Sequence, residues 1–112
     1  MKSSSLLNQI IYKGDKPAIS VLFETESTKE IRIAMKKDHQ MKEHQTPFPI
    51  VVEVFEGTVD FGVESELHHL KRGDILALEG GVPHDLLAKS DCIIRLTLSK
   101  SDSVKRVEKV AE

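Results

Sequence analysis

From Ala18 onward the chain is cut into short apolar runs: AISVLFE (18–24), EIRIAM (30–35), PIVVEVFE (49–56), TVDFGVE (58–64), ILALE (75–79), DLLAK (85–89) and CIIRLTL (92–98). Between them stand clusters of turn formers: TEST, KKDHQ, EG, KRGD, EGGVP and KSD. Runs this short, rich in Ile, Val, Leu and Phe and recurring roughly every ten residues, are the pattern of an antiparallel sandwich or barrel. A parallel α/β sheet is excluded, because the connections are too short to hold the crossover of a dozen or more residues that parallel neighbours need. At 112 residues the chain reads as one domain, 1–112, with a barrel core over about 18–99 and terminal extensions at 1–17 and 100–112. A domain of this size buries roughly two-thirds of its unfolded surface, so its core needs neither metal nor disulfide support.

The extensions have a different texture. Leu6, Leu7, Ile10 and Ile11 share one face of a helix that Gly14 and Pro17 would stop, and a short helical turn or an edge strand both fit. Near the other end Val104, Val107, Val110 and Ala111 mark one side of a short helix, with Ser101 or Asp102 as its N-cap. The fold class expected is therefore an all-β barrel flanked by short terminal helices.

Composition removes several functions. Sixteen basic against eighteen acidic side chains, both signs scattered, give a formal charge of −2. Nucleic acid wants a basic stripe or stacking aromatics, and the chain has four Phe, one Tyr and no Trp. No apolar run approaches the roughly 18 residues of a membrane span, and no secretory apolar segment is seen, so the cytoplasm is the expected location. The single Cys92 cannot close an internal disulfide and, inside CIIRLTL, is expected to pack as a small hydrophobe.

Histidines stand at two strand entrances, in EHQTPFPIVVEVFEG (43–57) and GDILALEGGVPHD (73–85). Strand parity puts His44, Thr46, Ile50, Val52 and Val54 on one face, mostly apolar as a barrel lining should be. The other parity, Gln45, Val51, Glu53 and Phe55, is mixed, with enough apolar area to call for cover by a second sheet or a second subunit. Val59, Phe61 and Val63 alternate with Asp60, Gly62 and Glu64, which makes that strand half buried. His68 and His69, flanked by Glu64, Glu66, Lys71 and Arg72, are expected in a solvated turn region before KRGD.

These two segments resemble the motifs of the cupin family. The first motif, Gly, His, His, Glu and Gly at fixed spacing, lays down here as Asp38, His44, Thr46, Ile50 and Gly57. The second, Gly, Pro, Gly, His and Asn, lays down as Gly73, Glu79, Gly81, His84 and Ala88. The resemblance covers about residues 30–98. It implies a jelly-roll barrel, the double-stranded β-helix, that often dimerises and holds one divalent metal (iron, manganese, nickel or zinc) through three His and a Glu. Of those ligands only His44 and His84 are present; a Thr46 hydroxyl is a poor ligand and Ile50 is none, so the only anion is missing. His39, in the loop before His44, is the candidate third ligand, whereas Glu53 lies an odd number of residues from Ile50 and should point away. Asp38, Gly57, Gly73, Gly80 and Gly81 are expected to supply left-handed turn positions.

The residues and the resemblance together lead to an expectation of a small-molecule-binding barrel, homodimeric through a barrel sheet. Its cavity would be lined by Thr46, Ile50, Val52, Val59 and Phe61, with His44 and His84 as the orienting polar groups and a weak divalent-metal site (Zn, Ni, Fe or Mn) at the same pair. The alternatives are a metal-dependent dioxygenase or isomerase using His44 and His84, and a structural or regulatory dimeric module.

Overall fold

A computed structural model describes residues 1–100 and Val110–Ala111. Nine strands follow one another: β1 (Ala18–Glu24), β2 (Thr28–Met35), β3 (Gln40–His44), β4 (Ile50–Glu56), β5 (Thr58–Val63), β6 (Glu66–Lys71), β7 (Ile75–Leu78), β8 (His84–Ala88) and β9 (Cys92–Ser99). They form two antiparallel sheets, ordered β1-β2-β9-β4-β7 and β3-β8-β5-β6. The all-β jelly roll expected from the sequence is what the chain forms. The core lies between the sheets, where Ile31, Met35, Val54, Val59, Phe61 and Ile94 are fully buried. In β4 burial alternates, with Ile50, Val52 and Val54 inward, as the parity reading requires.

Two strands lie where the sequence suggests turns. In β6, ELHHLK, only Leu70 is shielded from solvent, because the strand is a sheet edge; without alternating burial there is no apolar period to read. Its hairpin with β5 turns at Glu64 (φ 51°) and Ser65 (φ 66°), two left-handed residues in a row, the geometry normally announced by Asn-Gly or Gly-Gly. His68 and His69 are therefore strand residues facing Phe61 and Asp60, which corrects their assignment to a turn. β3, QMKEH, buries Met41 well and little else.

The N-terminal segment makes a single turn, closed by Leu7 and Asn8 amides donating to Ser5 Oγ at 3.1 and 3.2 Å. Gln9 then goes left-handed (φ 53°), so the turn does not grow into the expected helix, and Leu7 and Ile11 point to solvent instead of sharing a buried face with Leu6 and Ile10. Arg32, buried on the outer side of β2, holds this segment down by donating to the carbonyls of Ser5, Leu6, Asn8 and Gln9. At the other end Val110 and Ala111 are helical; the N-cap and the rest of the expected C-terminal helix lie outside the described residues.

Gly57, between β4 and β5, is left-handed (φ 85°), and a Cβ there would run into the Asp91 carbonyl and Cys92. Gly80 differs from expectation: it does not take a left-handed φ, and is needed because a Cβ there would collide with the Pro47 backbone. Asp38 does adopt the left-handed turn position (φ 75°). Cys92 is fully buried, and burial pushes its thiol pKa up to about 12, so it packs as an inert apolar group.

Candidate functional site

β3 and β8 pair antiparallel with Met41 opposite Leu86 and His44 opposite His84. Three steps on β3 match two on β8, so β3 carries one extra residue between Met41 and His44. That bulge decides the site. Met41 and His44 are an odd number of residues apart and in a regular strand would face opposite ways; the inserted residue lets both turn inward.

The two imidazoles meet with ring centroids 4.2 Å apart, tilted by 59°. His84, 4% exposed, also stacks almost parallel (6°) on Phe61 at 5.5 Å. Each ring is held by the same local device. His44 Nδ1 donates to the Lys42 carbonyl at 2.7 Å and His84 Nδ1 to the Val82 carbonyl at 3.0 Å. A carbonyl can only accept, so Nδ1 carries a hydrogen in both rings, and a ring in its neutral form keeps the lone pair on Nε2. Neither Nε2 has a hydrogen-bond partner among the described residues. Burial holds the His44 pKa below its usual value; the Lys42 hydrogen bond opposes this, the neighbouring His84 adds to it, and Asp85 opposes it. His44 is thus neutral at pH 7 and presents an acceptor.

The pair looks into a cavity of about 30 Å³ between the sheets. Its wall is apolar apart from the two rings and Thr46, and includes Ile50, Val52, Phe61 and Leu86. Such a volume holds about two water molecules. Val59 does not line it: fully buried, it packs elsewhere in the core, which corrects its assignment to the pocket. Thr46 lines the cavity but donates its hydroxyl to the Phe48 carbonyl (2.8 Å), while its own carbonyl accepts from Gly81 N–H (2.7 Å). It ties the β3–β4 loop to the β7–β8 loop, the same two loops that touch at Pro47 and Gly80.

His39 is not a third member of the pair. It sits at the far end of the β3–β8 ladder, where Ala88 N–H donates to its carbonyl, and Ala88 is four residues, about 13 Å of extended strand, from His84. Its Nδ1 accepts from Lys36 N–H (3.1 Å), which leaves Nε2 protonated and donating to the Gly14 carbonyl (3.3 Å). Both nitrogens are engaged, and the ring serves as a strut between the β2–β3 turn and the N-terminal segment. Glu53 points outward, accepting from Arg95 Nε at 2.8 Å. No group of three or more His, Cys, Asp or Glu able to hold a metal ion occurs among the described residues. The donor set does not fit the four-ligand centre of the resemblance: it offers two nitrogens and no anion.

Two polar clusters outside the cavity escape a reading by motif. On the outer face of the five-stranded sheet Arg95 joins Glu53 and Glu30, and Thr97 donates to the same Glu30 carboxylate at 2.6 Å. On the outer face of the other sheet, exposed His69 lies 2.6 Å from nearly buried Asp60. The first is a cross-strand alignment of charges that the register Glu30↔Thr97 and Glu53↔Arg95 makes visible; the second depends on β6, which has no apolar signature.

No family model and no curated protein sequence matches the chain. Solved structures do. An RmlC-like cupin protein from Desulfovibrio desulfuricans superposes with a TM-score of 0.81 at 22% identity, over 88% of this chain and 96% of its own. TT1209 from Thermus thermophilus gives the same TM-score and identity over 88% and 97%. An uncharacterized conserved protein with a double-stranded β-helix domain from Klebsiella pneumoniae gives 0.77 at 19%, over 88% and 89%. The fold is that of the cupins, a double-stranded β-helix, and at these identities the likeness extends to the fold alone.

Proposed function

We propose that this cupin barrel binds a small molecule at the His44–His84 end of its cavity. The observation that carries the reading is the pair of unpartnered Nε2 acceptors in an otherwise apolar pocket, one of them on a ring 4% exposed. A buried acceptor left without a donor costs roughly 1–3 kcal/mol, which a ligand carrying an O–H or N–H on an apolar body would recover. A thermal-shift screen of small phenols, alcohols and amides should find compounds that raise the Tm of the native protein and leave a His44→Phe, His84→Phe variant unmoved. Compounds that shift both proteins alike would remove the reading.

A second reading has its own support. Metal-ligating histidines commonly hold Nδ1–H on a carbonyl and present Nε2, as both rings do here. With two nitrogens and water, a divalent ion (Zn, Ni, Fe or Mn) would be held weakly, and a metal-dependent dioxygenase or isomerase activity would rest on it. Stoichiometric metal in protein purified without chelator or tag, lost in the double variant, would favour this alternative.

The homodimer remains a proposal through the outer face of the five-stranded sheet. Val51 and Phe55 lie there, and Ile75, the register partner of Glu53, is 61% exposed. Analytical ultracentrifugation should show a dimer that Ile75→Asp dissociates. A native monomer would favour neither this face nor the dimeric-module alternative. Among the described residues no helix is long and apolar enough to cross a membrane.

A further inference from the structure

We propose that the chain supplies its own cavity occupant: Val110 and Ala111 fill the space beside His44 and His84 that a ligand would take, and must leave before one can enter. This rests on the ligand-binding reading of the pair. Val110 lines the same cavity as the two imidazoles, and Ala111, 4% exposed, belongs to the apolar cluster around it. Every other lining residue lies within the barrel, from Ile33 on β2 to Leu98 on β9; Val110 comes from eleven residues beyond the last strand, which ends at Ser99. Val110 and Ala111 are helical and belong to neither sheet.

The chemistry of the occupant also favours exchange. Ligand pockets typically measure roughly 300–1,000 Å³, against the 30 Å³ left here. Val and Ala side chains fill volume but carry no side-chain donor for either Nε2. A ligand with a hydroxyl and an apolar body replaces the packing and adds the missing hydrogen bond. Until the occupant leaves, the apparent affinity is lowered by the fraction of molecules that are open.

The full chain carrying Val110→Asp and Ala111→Asp tests this, because two carboxylates will not stay in an apolar cavity. The direct readout is carbethoxylation of His84 by diethyl pyrocarbonate at pH 7, resolved by peptide mass spectrometry. The well-exposed His69 serves as internal reference. The ratio of His84 to His69 rates should rise at least tenfold over the native chain while the amide NMR spectrum stays dispersed, and phenol, used as the probe ligand, should bind at least tenfold tighter. A rise at His84 with no phenol binding keeps the occupant and removes the ligand reading. An unchanged His84 ratio in the folded variant overturns the occupant whatever phenol does. Should the acidic variant lose its dispersed spectrum, Val110→Gly in the full chain replaces it, with a rise of at least threefold expected and a flat ratio again overturning the proposal.

Discussion

At one end of the β3–β8 ladder His39 engages both ring nitrogens with backbone groups, Lys36 N–H on one side and the Gly14 carbonyl on the other. At the opposite end His44 and His84, both lining the cavity, each engage one nitrogen and leave the other without a partner among the described residues. The residue type and the ladder are the same, and all three rings are at least partly buried. What separates a strut from a site is the hydrogen-bond inventory: a ring with every polar atom accounted for stabilises the fold, whereas a buried acceptor kept without a partner costs stability and is available to something else.

The largest test of that contrast is Phe61→Ala. Phe61 is fully buried and is the surface on which His84 stacks, so its loss should cost about 3–5 kcal/mol in guanidinium unfolding. A cost below about 1.5 kcal/mol would mean that the cavity end is loosely packed and that His84 is not held in place by its ring neighbour.

Next comes the contrast itself, read with one substitution at each end. His39→Phe keeps a ring but leaves the Lys36 amide and the Gly14 carbonyl without their partner, and should destabilise by about 2–3 kcal/mol. His44→Phe removes only a bond to the Lys42 carbonyl and adds apolar surface to an apolar wall, so it should fall within about 1 kcal/mol of the native protein. Equal costs at the two positions would erase the distinction between strut and site.

That distinction is out of reach of the sequence, although the barrel is not. Strands buried on one or both faces, such as β2, β4 and β9, write their burial into consecutive or alternating apolar residues, and those runs can be read directly. β6 cannot, because an edge strand with polar residues on both faces has no period, and its turn is made by Glu64 and Ser65 where glycine would have announced it. The convergence of His44 on His84 follows from motif spacing. The bulge that aims His44 inward leaves no mark, since an extra residue in QMKEH looks like any other. His39 reads as a spare ligand because a histidine's letter does not say which backbone groups its nitrogens will meet after folding. Val59 has the right parity and full burial, yet it lies beyond the reach of the cavity, and depth along a barrel is set by register between strands far apart in the chain.

The smallest effect, and the one most specific to the free pair, is a pH slope. Burial places the folded-state pKa of His44 below the usual 6.5, with His84 lowering it further and Asp85 opposing. Between the folded value and 6.5 the unfolded chain therefore binds more protons than the folded one, so stability rises with pH across that window and falls as the solution is acidified through it. Above 6.5 both states are neutral at this residue and its contribution vanishes; below the folded value both are protonated and the loss levels off. Other groups contribute to the pH dependence as well, so the quantity to measure is the difference between the native protein and His44→Phe in urea unfolding at a series of pH values. The native protein should lose stability relative to the variant as pH drops below 6.5, and the difference should be flat above it. A difference of the opposite sign would show His44 to be stabilised as the cation, which would leave its Nε2 a donor and the acceptor pair incomplete.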